Sequence, residues 1–202
     1  MRIISGEFRG RILKAPPGLG TRPMLDRVRE AMFSTLGPGI EGARVLDLFA
    51  GSGSLGLEAL SRGAEGVRFV ETETAVVQIL KANAEALGAS ERVEILRGSA
   101  LARSSWQPPE GQPQRWADLV LFDPPYPWLS NERRGPLLEA VSTLLSEVLA
   151  PGGLFVFHTP KRGVQASDFE VRFEPDARKY GSSALWYLRA PKEQPASSED
   201  PA

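Results

Sequence analysis

The sequence predicts a single α/β domain built on a seven-stranded, mostly parallel sheet, preceded by a small β-hairpin and a helix. Three observations carry this expectation. From residue 43 onward, short apolar runs alternate with segments of helical periodicity, the β-α-β-α-β order that implies parallel strands and right-handed crossovers. The first apolar run opens directly into Gly51-Ser52-Gly53-Ser54-Leu55-Gly56, a glycine turn between a strand and a helix. The last two runs, 169–173 and 183–189, are separated by too few residues for a crossover helix, so they form an antiparallel hairpin at the sheet's edge.

Residues 1–14 place Ile3, Ile4, Phe8, Ile12 and Leu13 between Gly6, Gly10 and several arginines, which suits a β-hairpin with one apolar and one basic face. The basic face is either a solvated edge that resists sheet aggregation or a phosphate-binding surface. After a loop at 16–20, Pro23 suits a first helical turn, and Val28, Met32, Phe33 and Leu36 recur at helical spacing until Gly37-Pro38-Gly39. Arg22, Asp26 and Arg29 are expected to be mostly exposed there. Strands follow at 43–49, 67–71, 93–96, 117–122 and 154–158, with helices at 54–62, 74–87 and 132–149 and a proline- and glutamine-rich loop at 106–116. The expected organisation is a basic hairpin and helix at 1–39, an extension of the same domain, then the sheet domain at 40–190 and a disordered tail at 191–202.

Composition narrows the chemistry. At 202 residues, with 42% hydrophobic and 24% charged residues, the chain suits one domain burying roughly 70% of its unfolded surface. No cysteine and a single histidine exclude disulfides, thiolate zinc sites, a cysteine nucleophile and a histidine-rich metal cluster, so no metal is implied. No apolar run approaches the ~18 residues of a membrane span, and the first residues lack a signal-peptide core, which points to a cytoplasmic protein and no membrane partner. The net charge of -1 is unevenly placed. Residues 1–37 hold Arg2, Arg9, Arg11, Lys14, Arg22, Arg27 and Arg29 against Glu7, Asp26 and Glu30, a local balance of +4.

The glycine turn lets backbone approach a ligand closely, and Glu71, 20 residues after Gly51, could accept hydrogen bonds from ribose hydroxyls. Nicotinamide cofactors share both features. Asp47 interrupts the first apolar strand and is either a partner for a ligand's ammonium group, as in S-adenosylmethionine, or a cap on nearby backbone amides. Asp123-Pro124-Pro125-Tyr126 decides between the cofactors. Two prolines fix the loop and remove two N–H donors, so it presents acceptors to an exocyclic amine. The Asp123 carboxylate and a backbone carbonyl, that of Pro124, can each take one N–H while Tyr126 stacks on the base. The ends of neighbouring strands bring further candidates to the same side. Ser99 can meet an adenine edge, Leu101 can lie against its ring, and Lys161-Arg162 can join a basic rim with Arg133-Arg134, Arg178-Lys179 and the amino-terminal arginines. His158, ending an apolar strand, reads as structural.

On these residues the chain resembles the RsmD family of Rossmann-like class I S-adenosylmethionine methyltransferases, which methylate the exocyclic N2 of a guanine in 16S ribosomal RNA. The resemblance runs from Arg2-Ile3-Ile4-Ser5-Gly6 and Arg9-Gly10-Arg11, through Arg22-Pro23 and Asp26-Arg27-Val28-Arg29-Glu30, to Asp47-Leu48-Phe49-Ala50-Gly51-Ser52-Gly53 and Asp123-Pro124-Pro125-Tyr126. It implies that Asp47, Gly51 and Gly53 flank the cofactor's methionine end, with Phe49 also among the cofactor-binding residues, Glu71 at the ribose and Ser99 at the adenine. Asp123, Pro124, Pro125 and Tyr126 would hold the guanine amine. Arg9, Arg11, Arg22, Arg29, Lys161 and Arg162 would face the RNA of the small ribosomal subunit, with S-adenosylhomocysteine as by-product and a monomer as the default state. The sequence departs from the family pattern at Met24-Leu25, where a threonine is usual, and at Ser99, where an aspartate is common.

Three other functions share parts of this pattern. An adenine-N6 methyltransferase uses the same Asp-Pro-Pro-Tyr chemistry, but this chain has no large target-recognition region. Protein glutamine methylation is associated with an asparagine at the position of Asp123. A non-catalytic RNA- or cofactor-binding module would keep the pockets without turnover.

Overall fold

The apolar runs become strands because the sheet buries them on both faces. Strands β1 (Arg44–Leu48), β2 (Gly66–Glu71) and β4 (Ala117–Phe122) are buried almost throughout, while β3 (Val93–Arg97) lies at one edge and is only partly covered. With β5 (Leu149–Pro160), β6 (Asp176–Tyr180) and β7 (Ser183–Arg189), they form one sheet in the order β3-β2-β1-β4-β5-β7-β6. The computed structural model describes residues 1–16, 24–130 and 132–192. Strands β1 to β5 pair in parallel, and β7 runs antiparallel between β5 and β6. This is the seven-stranded, mostly parallel Rossmann-like sheet that the resemblance implies.

Helix α1 (Asp26–Leu36) precedes the sheet, α2 (Ser54–Ser61) links β1 to β2, α3 (Thr74–Ala86) links β2 to β3, and α4 (Arg134–Thr143) lies between β4 and β5. Alternation along β1 sends Val45 into a core shared with α1, α2 and α3, and sends Leu46 and Leu48 into the core beneath α4. Asp47 therefore points to the side of α2. From β1 the chain winds one way through β2 and β3, then returns to place β4 on the other flank of β1. Such a reversal leaves a crevice at the carboxyl ends of β1 and β4.

The C-terminal hairpin is present, but its first strand is β6, Asp176–Tyr180, rather than 169–173. Val171–Phe173 instead forms a 3-10 turn, and Phe169 packs against Phe157 and Trp186 with ring centroids 6.4 and 5.4 Å apart. These apolar residues plug the core below the sheet. The edge strand itself is Asp-Ala-Arg-Lys-Tyr, a polar sequence that discourages further pairing. Beyond α4, residues Leu144–Val148 form a π-helical turn and β5 already begins at Leu149, with an irregularity opposite Ala117 and Leu119.

The amino-terminal hairpin closes through one antiparallel bridge, Arg2 to Ile12. Ile3, Phe8 and Leu13 are buried as expected, but Ile12 is 82% exposed, because a bridge this short cannot keep every apolar side chain on one face. Polar bonds to α2 dock the segment. The fully buried Glu58 carboxylate accepts the amides of Ile4 (2.7 Å) and Ser5 (3.1 Å), and pairs with Arg62 at 2.7 Å. Ser61 Oγ accepts the Phe8 amide and donates to the Ser5 carbonyl. At Gly6, with φ of +85°, an added Cβ would lie 1.6 Å from the Ser61 carbonyl oxygen, so only glycine fits. Asn83 on α3 adds a third tie, exchanging hydrogen bonds with the Lys14 backbone and donating to the Ser52 carbonyl.

Removing Glu58 orphans two amides and a guanidinium in a dry site. Glu58→Ala should lower unfolding stability by about 3 kcal/mol in urea titrations. Hydrogen exchange should show Ile4, Ser5 and Phe8 losing more protection than the strands of the sheet; equal losses everywhere would show that the carboxylate does not anchor the arm specifically.

Candidate active site

The chain leaves β1 through a left-handed turn. Phe49, Gly51 and Gly53 have φ of 62°, 55° and 83°, and a non-glycine residue in this region carries a cost on the order of 1–3 kcal/mol. Four hydrogen bonds hold it: Ala50 N–H to the Val70 carbonyl (3.1 Å), Gly53 N–H to the Ala50 carbonyl (2.9 Å), Gly51 N–H to Glu71 Oε2 (2.9 Å) and Gly56 N–H to Asp47 Oδ2 (2.9 Å). The glycines do different things. A Cβ on Gly53 would come within 2.2 Å of Leu80, and one on Gly56 within 2.3 Å of the Phe69 ring, so both permit close helix packing. A Cβ on Gly51 would meet open space.

Three carboxylates surround this turn. Asp47 is buried, and burial pushes its carboxyl well above the usual range, opposed by the Gly56 amide and reinforced by the charges of Asp123 and Glu71. Glu71 ends β2, where Oε1 accepts the amides of Thr72 (2.7 Å) and Glu73 (3.0 Å). Backbone capping is thus an observed role of both residues. At the end of β3, Ser99 is exposed and its Oγ accepts the Leu101 amide at 3.2 Å, while Leu101 is half-buried. Phe49 is half-buried, edge-on to Phe122 at 5.3 Å and to Trp128 at 5.2 Å.

Asp123 follows β4 directly, its amide 3.5 Å from the Leu48 carbonyl, so it stands beside the glycine turn. Pro124 and Pro125 lead into a 3-10 turn, Tyr126–Leu129, in which the Pro125 carbonyl accepts the Trp128 amide at 2.9 Å. The β4–β5 register pairs Phe122 with Phe157, which brings Asp123 next to His158. His158 Nδ1 lies 2.8 Å from Asp123 Oδ1, and His158 Nε2 lies 2.9 Å from the Tyr126 hydroxyl. Burial pushes the Tyr126 phenol above its ordinary value, with Ser183 opposing and Asp123 adding to the shift. A groove of about 420 Å³ opens beside Tyr126, lined also by Pro127, Leu129, Pro160 and Arg162.

His158 is the residue that sequence reasoning placed outside the site. Its signal was present only as a lone histidine ending the strand after Asp-Pro-Pro-Tyr, and strand register is needed to read it.

The basic candidates divide. Arg9, Lys161 and Arg162 are exposed, and Arg11 is exposed while donating to the Ala86 carbonyl. Arg22 lies outside the described residues. Arg29 corrects the expectation of exposure: at 0% exposure it donates to the Arg2 carbonyl (2.5 Å) and to Asp26 Oδ1 (3.1 Å), and so cannot present its guanidinium to a polyanion. Helix α1 turns it inward beside Val28, Met32 and Phe33, where it holds the amino-terminal segment. Met24 is buried in the same core, while Leu25 is exposed. Of the other rim candidates, Arg134 pairs with Asp168 at 2.9 Å, Arg178 bonds Thr35 at 2.7 Å, and Arg133 stacks 4.3 Å above the Trp128 ring.

Comparison with known proteins extends the likeness over the fold. The family model described as Conserved hypothetical protein 95 matches residues 1–189. YlbH of Bacillus subtilis is 47% identical over 100 residues, 50% of this chain and 54% of that protein, so the chain spans about half of that relative's length. The ribosomal RNA small subunit methyltransferase D of Haemophilus influenzae is 40% identical over 163 residues, 80% of this chain and 79% of its own. Among solved structures, yhhF of Escherichia coli superposes with a TM-score of 0.77 at 33% identity, covering 96% of this chain and 99% of that one.

Asp47 provides a pH test. In the unfolded chain an aspartate titrates near ~3.9, and burial holds the folded one higher, so the folded protein binds this proton more tightly. Ionising Asp47 therefore costs stability above its folded pKa, and the cost disappears as pH falls to the unfolded value. Asp47→Asn should be more stable than the parent at pH 7 by on the order of 1 kcal/mol, with the difference shrinking toward pH ~4. Urea titrations across that range would show a pH-independent difference if burial of the charge were not the cause.

Proposed function

This chain belongs to the RsmD family of 16S ribosomal RNA guanine-N2 methyltransferases, and on that premise we propose that it transfers a methyl group from S-adenosylmethionine to the exocyclic N2 of a guanine in the small ribosomal subunit, in the cytoplasm. The observation that carries the reading is the position of Asp123 and its two prolines, at the end of β4 against the glycine turn of β1.

The residues present suit a cationic, ribose-bearing cofactor. Open space over Gly51 leaves room for a ligand, and Asp47 and Glu71 place two carboxyl groups beside the turn. Gly51, Gly53, Phe49 and Asp47 would line the methionine end, and Glu71, whose Oε1 is taken by Thr72 and Glu73, would offer the remaining lone pair of Oε2 to a ribose hydroxyl. Ser99 would meet the adenine edge and Leu101 its ring. S-adenosylmethionine, when bound, supplies an electrophilic sulfonium methyl.

The chain's own part is to hold the amine. Asp123 Oδ1 faces His158, which leaves Oδ2 for one N–H. The Pro125 carbonyl is taken by Trp128, so the second acceptor falls to Pro124. Tyr126, 37% exposed, offers a ring face for the base. With both hydrogens held, the nitrogen lone pair is directed at the methyl carbon. Transfer would form the N–C bond as the donor's C–S bond breaks, leaving S-adenosylhomocysteine, and Asp123 or water would accept the proton released by the nitrogen, which is cationic after attack. Arg9, Arg11, Lys161 and Arg162 would contact phosphates. So small a domain suits reading the shape of a ribonucleoprotein rather than a long sequence.

Incubation with labelled S-adenosylmethionine and small subunits lacking the modification, followed by digestion and mass spectrometry, should yield N2-methylguanosine. N6-methyladenosine would move the function to an adenine enzyme. Asp123→Ala should lower methyl transfer by roughly 100-fold or more while leaving donor affinity in calorimetry unchanged. Unchanged turnover would remove Asp123 from the amine site. Neutralising Arg9 and Arg11 together should weaken RNA binding and flatten its salt dependence; a slope identical to the parent's would put the phosphate contacts elsewhere.

A further inference from the structure

We infer that His158 is a positioning residue, a clamp that fixes the two working side chains of the Asp-Pro-Pro-Tyr loop through the two nitrogens of one ring. The loop needs such a device. Asp123 and Tyr126 sit at its two ends, both in contact with solvent, and Tyr126 belongs to a short 3-10 turn rather than to the sheet. His158 is 6% exposed and rides on β5, between β4 and β7 in the sheet. Its ring is therefore the rigid member of the trio.

Hydrogen-bond chemistry assigns the proton. An ionised carboxylate only accepts, so the nitrogen 2.8 Å from Asp123 Oδ1, Nδ1, carries the hydrogen. In the neutral ring Nε2 then accepts from the Tyr126 hydroxyl, 2.9 Å away. This is the tautomer less favoured by free histidine in water. Its consequence is directional: Oδ1 is occupied, Oδ2 is left as the acceptor for an amine, and the phenol ring is held with its centroid 5.4 Å from the imidazole. The catalytic consequence rests on the guanine-amine reading above, whereas the tautomer does not.

Two measurements separate these levels. The chain has a single histidine, so the full protein labelled with ¹⁵N-histidine gives one imidazole pattern in NMR. We expect the Nδ1–H form in the parent, its loss in Asp123→Ala, which removes the accepting oxygen, and a shift confined to Nε2 in Tyr126→Phe. An Nε2–H ring, or the mixture seen in free histidine, would overturn the clamp even if the enzyme proved active.

The second measurement compares His158→Asn, His158→Gln and His158→Phe in methyl transfer to small subunits, with donor affinity and thermal unfolding measured beside it. Asparagine can place an N–H near the Nδ1 position, glutamine can reach the Nε2 position, and phenylalanine keeps the ring without either bond. Turnover should fall about 10- to 100-fold in His158→Phe, recover for the most part in His158→Asn, and recover little in His158→Gln, with donor affinity constant throughout. Parent-like turnover in all three, or rate and donor affinity falling together with unfolding temperature, would sink the positioning role. If His158→Phe does not fold, the asparagine–glutamine contrast still decides. If the parent itself does not methylate small subunits, the guanine reading fails while the NMR result stands on its own.

Discussion

The structure depends on how the backbone leaves β1. A chain that ended the strand in ordinary extended geometry would run past the sheet. Here positive φ angles at Phe49, Gly51 and Gly53 fold it back so that α2 starts over the strand's carboxyl end. Two carboxylates enforce that conformation, Asp47 on the Gly56 amide and Glu71 on the Gly51 amide. The same bonds that close the turn gather negative charge around it. A buried carboxylate such as Asp47 is costly in a free domain, and a cationic ligand beside it would offset that cost.

The amino-terminal segment extends this arrangement rather than hanging from it. Glu58, Ser61 and Asn83 tie it to α2 and α3, and Asn83 also bonds the Ser52 carbonyl inside the glycine turn. Arg29 completes the attachment from α1 through the Arg2 carbonyl. An arm with exposed arginines is thereby fixed relative to the crevice instead of searching for it. Prior immobilisation would reduce the entropy lost if a polyanion docked on it.

On the other flank, the site is a product of strand pairing. Asp123 meets the glycine turn because β4 pairs with β1, and it meets His158 because β5 pairs with β4 one residue earlier. Slipping either pairing by one residue would turn these side chains to the opposite face. The aromatic packing of Phe122 against Phe49, Phe155 and Phe157 fills the space just below and opposes such a slip.

Much of this was legible in the residues themselves. Continuous apolar runs such as 117–122 announced buried strands, Gly51-Ser52-Gly53 announced the turn, and Asp123-Pro124-Pro125-Tyr126 announced an acceptor-rich loop, because local sterics and burial dictate each one. Where the cause was long-range, the sequence was silent. The polar edge strand Asp176–Tyr180 is a strand only because β7 pairs with it, and Phe169 and Phe173 looked like strand residues although they fill a gap beneath the sheet. Arg29 looked like a surface charge until the Arg2 carbonyl and Asp26 came to meet it, and His158 looked structural until β4 put a carboxylate beside it. Sequence by itself determined the kind of fold and which residue types stand at the end of each strand, because those follow from burial and backbone geometry over a few residues. Tertiary structure decided which of those groups touch, because hydrogen-bond partners 27 or 35 residues apart are set by packing and register that no local pattern encodes.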